Sequence, residues 1–150
     1  MGNFLTKIQR STLVDVLDRI IPRTGETPGA GKIAIEYLET TAAASSSTGR
    51  VVLDTLMAID VAAGSGHGKP FADVADSAKV SLLRVVEDQY PAVFSEFVDL
   101  VYDGYYTDPS VIERLGPDAE TPQPRGFPIA PFDPRIVEKV RHIGPRYRST

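Results

Sequence analysis

Apolar residues in this chain recur every three or four positions, and no segment alternates apolar with polar residues. That period lays them along one face of a helix and provides no half-buried strand from which to build a sheet. Leu13, Leu17, Ile20 and Ile21 fall at i, i+4, i+7 and i+8, with Ser11 or Thr12 as a cap and Pro22 as a stop. A loop rich in glycine and proline follows, then a short helix over about 30–39 that buries Ile33, Tyr37 and Leu38. The small, polar run TTAAASSSTG reads as a flexible connection.

Val52, Leu56, Ile59 and Ala63 mark one face of the next helix, which Gly64, Gly66 and Gly68 end. Asp76 is a candidate N-cap for a helix that turns Leu82, Leu83 and Val86 inward. Pro91 suits the first turn of another helix, buried through Phe94, Phe97, Val98 and Val101 and ending near Gly104. Asp108-Pro109 opens a short helix that Gly116 closes. Residues 117–134 carry six prolines and no helical period, which predicts an extended arm, too rich in proline to pair as strands. Asp133 as cap, Pro134 at the first position and Gly144 past the end then delimit a terminal helix. The expected fold is therefore all-α: a small bundle of about five to seven helices. Its expected units are a helical domain over 1–116, a Pro-rich arm over 117–134, and a basic C-terminal helix and tail over 135–150.

At 150 residues the chain suits one domain with a core of its own. With no cysteine there is no disulfide framework, no thiolate nucleophile and no zinc–thiolate site. Asp15, Asp18 and Arg19 interrupt the first apolar stretch, so it does not read as a signal peptide, and no run is long enough to span a bilayer. Gly2 and Thr6 match the spacing of a myristoylation motif, a short pattern that carries little weight. The formal charge of −4 is unevenly spread: residues 135–150 hold five basic residues against Glu138, a segment of +4, which leaves −8 for the rest. Such a tail is either a solvated helix or a contact for an acidic partner surface, while the acidic body disfavours nucleic acid.

Signals for catalysis are sparse. GSGHGK has the glycine and lysine spacing of a phosphate loop, but Pro70 stands where the magnesium-binding hydroxyl belongs and a helix precedes it. The bland reading is a helix end with His67 exposed. No HExxH or related metal pattern occurs, and the Asp15/Asp18 pair reads as a solvated helix face. The most unusual run is Tyr102-Asp103-Gly104-Tyr105-Tyr106-Thr107-Asp108-Pro109, which holds three of the six tyrosines. Tyrosine combines an apolar ring with a hydrogen-bonding tip, which suits either a helix end packed on the core or a protein interface.

Three ordered blocks carry a family resemblance. Asp18-Arg19-Ile20-Ile21-Pro22-Arg23-Thr24 with Thr27-Pro28-Gly29-Ala30, then Gly68-Lys69-Pro70-Phe71-Ala72-Asp73-Val74, then Gly104-Tyr105-Tyr106-Thr107-Asp108-Pro109 with Leu115-Gly116, resemble the gluconate 2-dehydrogenase subunit 3 family. The resemblance implies a non-catalytic small subunit that binds and stabilises a large flavoprotein of the glucose–methanol–choline type, which oxidises sugars, sugar acids and alcohols. FAD and the catalytic residues are then expected in that partner, and no cofactor or metal in this chain. Arg23, Tyr105, Tyr106 and Asp108, together with Phe127, Ile129 and Phe132 of the arm, are the expected partner-binding residues. The chain lacks a twin-arginine signal, so its complex is expected in the cytoplasm, or in the periplasm if the partner carries the export signal. It also has Ser110-Val111-Ile112-Glu113 where many members carry a Gly-Gly-Asn run. Two other classes compete: a stand-alone isomerase or lyase built on Tyr105, Tyr106 and Asp108, and a helical adaptor for an unrelated protein.

Overall fold

The computed structural model describes residues 4–116, 132–135 and 138. Seven α-helices occur among the described residues, and no strand beyond a single bridge between Thr24 and Thr27. The helices are α1 (Lys7–Ile20), α2 (Ala30–Ile33), α3 (Ile35–Ala44), α4 (Ser46–His67), α5 (Asp76–Gln89), α6 (Pro91–Tyr106) and α7 (Pro109–Leu115), with a 3-10 turn at Phe71–Asp73. The all-α reading holds. The expected arm residues Phe127 and Ile129, and Gly144 of the terminal helix, lie outside the described residues.

Several boundaries differ from the sequence reading, each for a local reason. Helix α1 begins earlier, because Thr6 and Gln9 form a capping box: Thr6 accepts from the Gln9 N–H and the Gln9 side chain accepts from the Thr6 N–H. Ser11 and Thr12 lie inside the helix. The second predicted helix is two, hinged at Ala34. The change of direction turns Ile35, Leu38 and Ala42 into the core, and leaves Ile33 half-buried and Tyr37 exposed. The supposed connection at 40–49 is helical except at Ser45, whose side chain caps α4 by accepting from the Thr48 N–H. Gly64 and Gly66 do not end α4; it runs to His67 and stops at Gly68, which takes the left-handed conformation at φ 67°. Ala75, not Asp76, is the N-cap of α5, and α6 continues past Gly104 to Tyr106.

Helix α4 is central and packs on α3, α5 and α6. Its buried Val52, Leu56, Ile59 and Ala63 meet Leu38, Phe71, Val86, Phe97 and Val101 in one continuous core that also takes in Leu13, Val16 and Leu17 of α1. Lys79 is buried with the core, at 5% exposure. Its ammonium pairs with Asp15 at 2.6 Å and Asp76 at 3.4 Å, and Arg19 joins the same two carboxylates at 3.2 and 2.6 Å. This closed ring of two cations and two anions ties α5 to α1, as a buried lysine requires.

Candidate partner-docking site

The chain leaves α1 at Ile21, makes an excursion through Pro22–Gly29, and re-enters helix at Ala30. Pro22 cannot continue a helix, and Gly25 allows the tight turn at φ 57° inside a pair of backbone hydrogen bonds between Thr24 and Thr27. Three bonds fasten the excursion. The Ala30 N–H donates to the Ile21 carbonyl at 3.0 Å, closing its base. The Gly31 N–H donates to the Asp18 carboxylate at 2.8 Å. The Tyr105 hydroxyl, from the end of α6, donates to the Pro28 carbonyl at 2.9 Å. The GAG run has a steric reason. A Cβ on Gly31 would sit 2.6 Å from the Val14 carbonyl oxygen, and one on Gly29 would collide with the Asp18 carboxylate. Only glycine lets α2 lie this close to α1.

Between this excursion and α7 opens a cleft of about 500 Å³, lined by Asp18, Arg23, Glu26, Lys32, Ser110 and Arg114 among others. Asp108 caps α7 by accepting from the Ser110 N–H, and so fixes the wall that carries Ser110 and Arg114. Arg23, Lys32 and Arg114 are exposed, and none makes an ion pair among the described residues. Asp18 is already committed to the Gly31 N–H, which leaves Glu26 as the one other acidic group of the lining. The mouth is therefore cationic and offers forked arginine donors suited to a carboxylate. Tyr105 lies beneath it at 4% exposure. Burial pushes its hydroxyl pKa up, Tyr106 adds to the shift and Arg114 opposes it, so the group stays a donor to Pro28.

The sequence-predicted residues part company here. Arg23 lines the cleft, Tyr105 supports it from below, and Asp108 builds its far wall without lining it. Tyr106 is exposed beside it, edge-on to Tyr105 at 5.2 Å and tilted against Tyr102 at 6.0 Å. Phe132 is exposed and does not line the cleft. The sequence reading missed Lys32, Ser110 and Arg114. Their one sequence signal is position: Lys32 follows the GAG run, and the other two follow the Asp108-Pro109 helix start.

A family model described as Gluconate 2-dehydrogenase subunit 3 matches residues 7–119. The chain belongs to the gluconate 2-dehydrogenase subunit 3 family. No curated protein and no solved structure matches it. The matched span runs from the first residue of α1 to just past α7, so every residue of the cleft lies within the gluconate 2-dehydrogenase subunit 3 region. Among the described residues no cluster of His, Asp and Glu could hold a metal ion, and no helix is long and apolar enough to cross a membrane.

Proposed function

We propose that this chain is the non-catalytic small subunit that binds and stabilises the FAD-containing catalytic subunit of a glucose–methanol–choline-type sugar or alcohol dehydrogenase. The family match over residues 7–119, which takes in the whole seven-helix domain, carries the reading. The cleft supports it with a chemistry: three cations without ion-pair partners among the described residues, on a pinned loop and a capped helix, form a rigid receptor for an acidic segment of the partner. Preformed geometry of this kind reduces the ordering cost of association. FAD belongs to the partner in this reading, and the complex assembles in the cytoplasm unless the partner carries it to the periplasm.

Co-expression with a flavoprotein subunit of the glucose–methanol–choline type from the same source tests the proposal. The expected result is a co-purifying complex with more soluble, flavin-loaded large subunit than without this chain, and at least a tenfold loss of complex in Arg23→Glu/Arg114→Glu. Equal yield, flavin content and activity of the large subunit expressed alone would overturn it.

A further inference from the structure

At the opposite end of α6 from the cleft lies a second concavity, of different character. It is a groove of about 310 Å³ between α4, the end of α5 and the start of α6, lined by Met57, Val61, Val86, Tyr90, Val93 and Phe94 among others. Met57 and Val61 are 62% and 59% exposed, and with Leu53 they form an apolar stripe at i, i+4 and i+8 along α4. Tyr90, also exposed, faces them across the groove at the α5–α6 junction. A contiguous apolar surface of this kind marks a contact that the isolated domain leaves unmade.

Two further observations indicate what fills it. Thr55 lines the groove, and its hydroxyl is buried without a hydrogen-bond partner among the described residues, a cost that an incoming acceptor would relieve. The stretch of chain that forms it is acidic: residues 51–106 hold nine acidic residues against three basic ones, a net −6. Asp54 lines the groove, Asp60 adjoins Val61, and Glu87 and Asp88 precede Tyr90; none of the four makes an ion pair among the described residues. Desolvation already pushes the Asp60 pKa up. An anionic lipid surface or a nucleic acid would be repelled here, whereas a cationic protein segment would be drawn in.

We propose that this groove docks an amphipathic helix of the catalytic subunit, its apolar face seated over Met57 and Val61 and its basic flanks over the acidic rim. The inference rests on the subunit reading above and adds a second, oppositely charged contact to the same partner. Helix-in-groove recognition uses anchors at i, i+3 or i+4, and i+7 of the incoming helix, which would seat against Met57 and Val61.

The first experiment needs no large subunit. A labelled 16-residue Leu/Lys amphipathic helical peptide is titrated against the full-length chain by fluorescence anisotropy, beside a Leu/Glu peptide of the same pattern. Saturable binding of the Lys peptide alone is expected, weakened at least tenfold by Met57→Glu/Val61→Glu. Both positions are exposed, so an unchanged circular dichroism spectrum and Tm show that the fold survives. Equal binding of both peptides, or no effect of the double variant, overturns the proposal. So does a tenfold tighter affinity in the full-length chain carrying Arg135→Gln, Lys139→Gln and Arg141→Gln, which would make the chain's own basic segment the occupant. The second experiment co-expresses the double variant with the flavoprotein subunit, and a tenfold loss of complex is expected. If the wild-type chain forms the complex and the variant forms it equally well, the groove assignment fails while the subunit reading stands. If the wild-type chain forms no complex, the subunit reading itself fails.

Discussion

The Tyr105–Pro28 hydrogen bond joins residues 77 apart in sequence and holds the floor of the cationic cleft, so Tyr105→Phe tests the site with one atom. The ring stays, and with it the burial and the edge contact to Tyr106; only the donor is lost. A neutral hydrogen bond of this kind is worth about 1 kcal/mol net, and an acceptor left dry would cost about 1–3 kcal/mol. Pro28 is only half-buried, so water reaches part of the freed carbonyl and the lower part of that range applies, about 1–1.5 kcal/mol. Unfolding entropy of about 2.1 cal/mol/K per residue over roughly 110 residues converts that loss into a fall in Tm of about 4–6 °C. The pH dependence carries a sign. The raised pKa means that Tyr105 ionises in the unfolded chain at a lower pH than in the fold. Its contribution to stability is therefore constant at neutral pH and is lost as pH rises from the unfolded value of about 10 through the higher folded value. Phenylalanine has no such loss, so the gap between wild type and variant should narrow above that pH. Thermal unfolding at neutral and alkaline pH, read by circular dichroism, measures both effects. A variant within 1 °C of wild type at neutral pH, or a gap that widens with alkali, would refute the assignment of this bond as the clamp of the loop.

Three further outcomes follow from packing. Gly31→Ala places a methyl 2.6 Å from the Val14 carbonyl, which is backbone and cannot step aside, and should cost about 2 kcal/mol or more in the urea midpoint while also weakening partner binding through the displaced Lys32. Thr55→Val removes a buried hydroxyl that has no partner among the described residues, at nearly constant shape, and should raise the stability of the isolated chain by about 1 kcal/mol by calorimetry. Lys79→Ala opens the four-membered ion ring and leaves a space beside Phe71. Because Asp15 keeps Arg19 and is about one-quarter exposed, the loss should be about 2–3 kcal/mol, below that for a fully buried pair, and Lys79→Met should lose less than Lys79→Ala. A reversed order of the two melting temperatures would contradict this account of the ring.

The apolar period in the sequence located every long helix, because burial of one face is a non-local demand that each helix must satisfy in its own sequence. Val52, Leu56, Ile59 and Ala63 are all buried as read, and so are Phe94, Phe97 and Val101. Helix ends were harder, since they depend on capping atoms rather than on the apolar face. The Thr6/Gln9 box lies before the first buried residue of α1, and Ser45 was hidden in a run that looked like a linker. The cleft was legible only in part. Arg23 and Asp108 stood out within their motifs, but Lys32 and Arg114 look like ordinary surface cations in the sequence. They become a group only because Gly31 lets α2 lie against α1 and Asp108 caps α7 opposite it. The groove was not legible at all: Met57 and Val61 follow the helical period of α4 as its core residues do, and only the packing of α5 and α6 decides which side of that helix is covered.

The two surfaces constrain any common partner more than either does alone. Along helix α6, Val93 and Phe94 of the groove lie 11–12 residues before the Tyr105 clamp, which at 1.5 Å per residue separates the two sites by about 17 Å. Phe97 and Val101 are fully buried along its length, so the spacing is fixed by the core rather than by a loop. That distance is about two Debye lengths at physiological salt, so salt largely screens the cationic and acidic sites from one another. A partner that satisfies both must present a carboxylate-bearing segment and a basic amphipathic helix with that spacing. Reversing the charge of one site should then lower affinity without altering the salt dependence that the other contributes. A partner binding through one site alone would lose its whole salt dependence when that site is reversed, and comparing salt slopes of single-site and double-site variants separates the two arrangements.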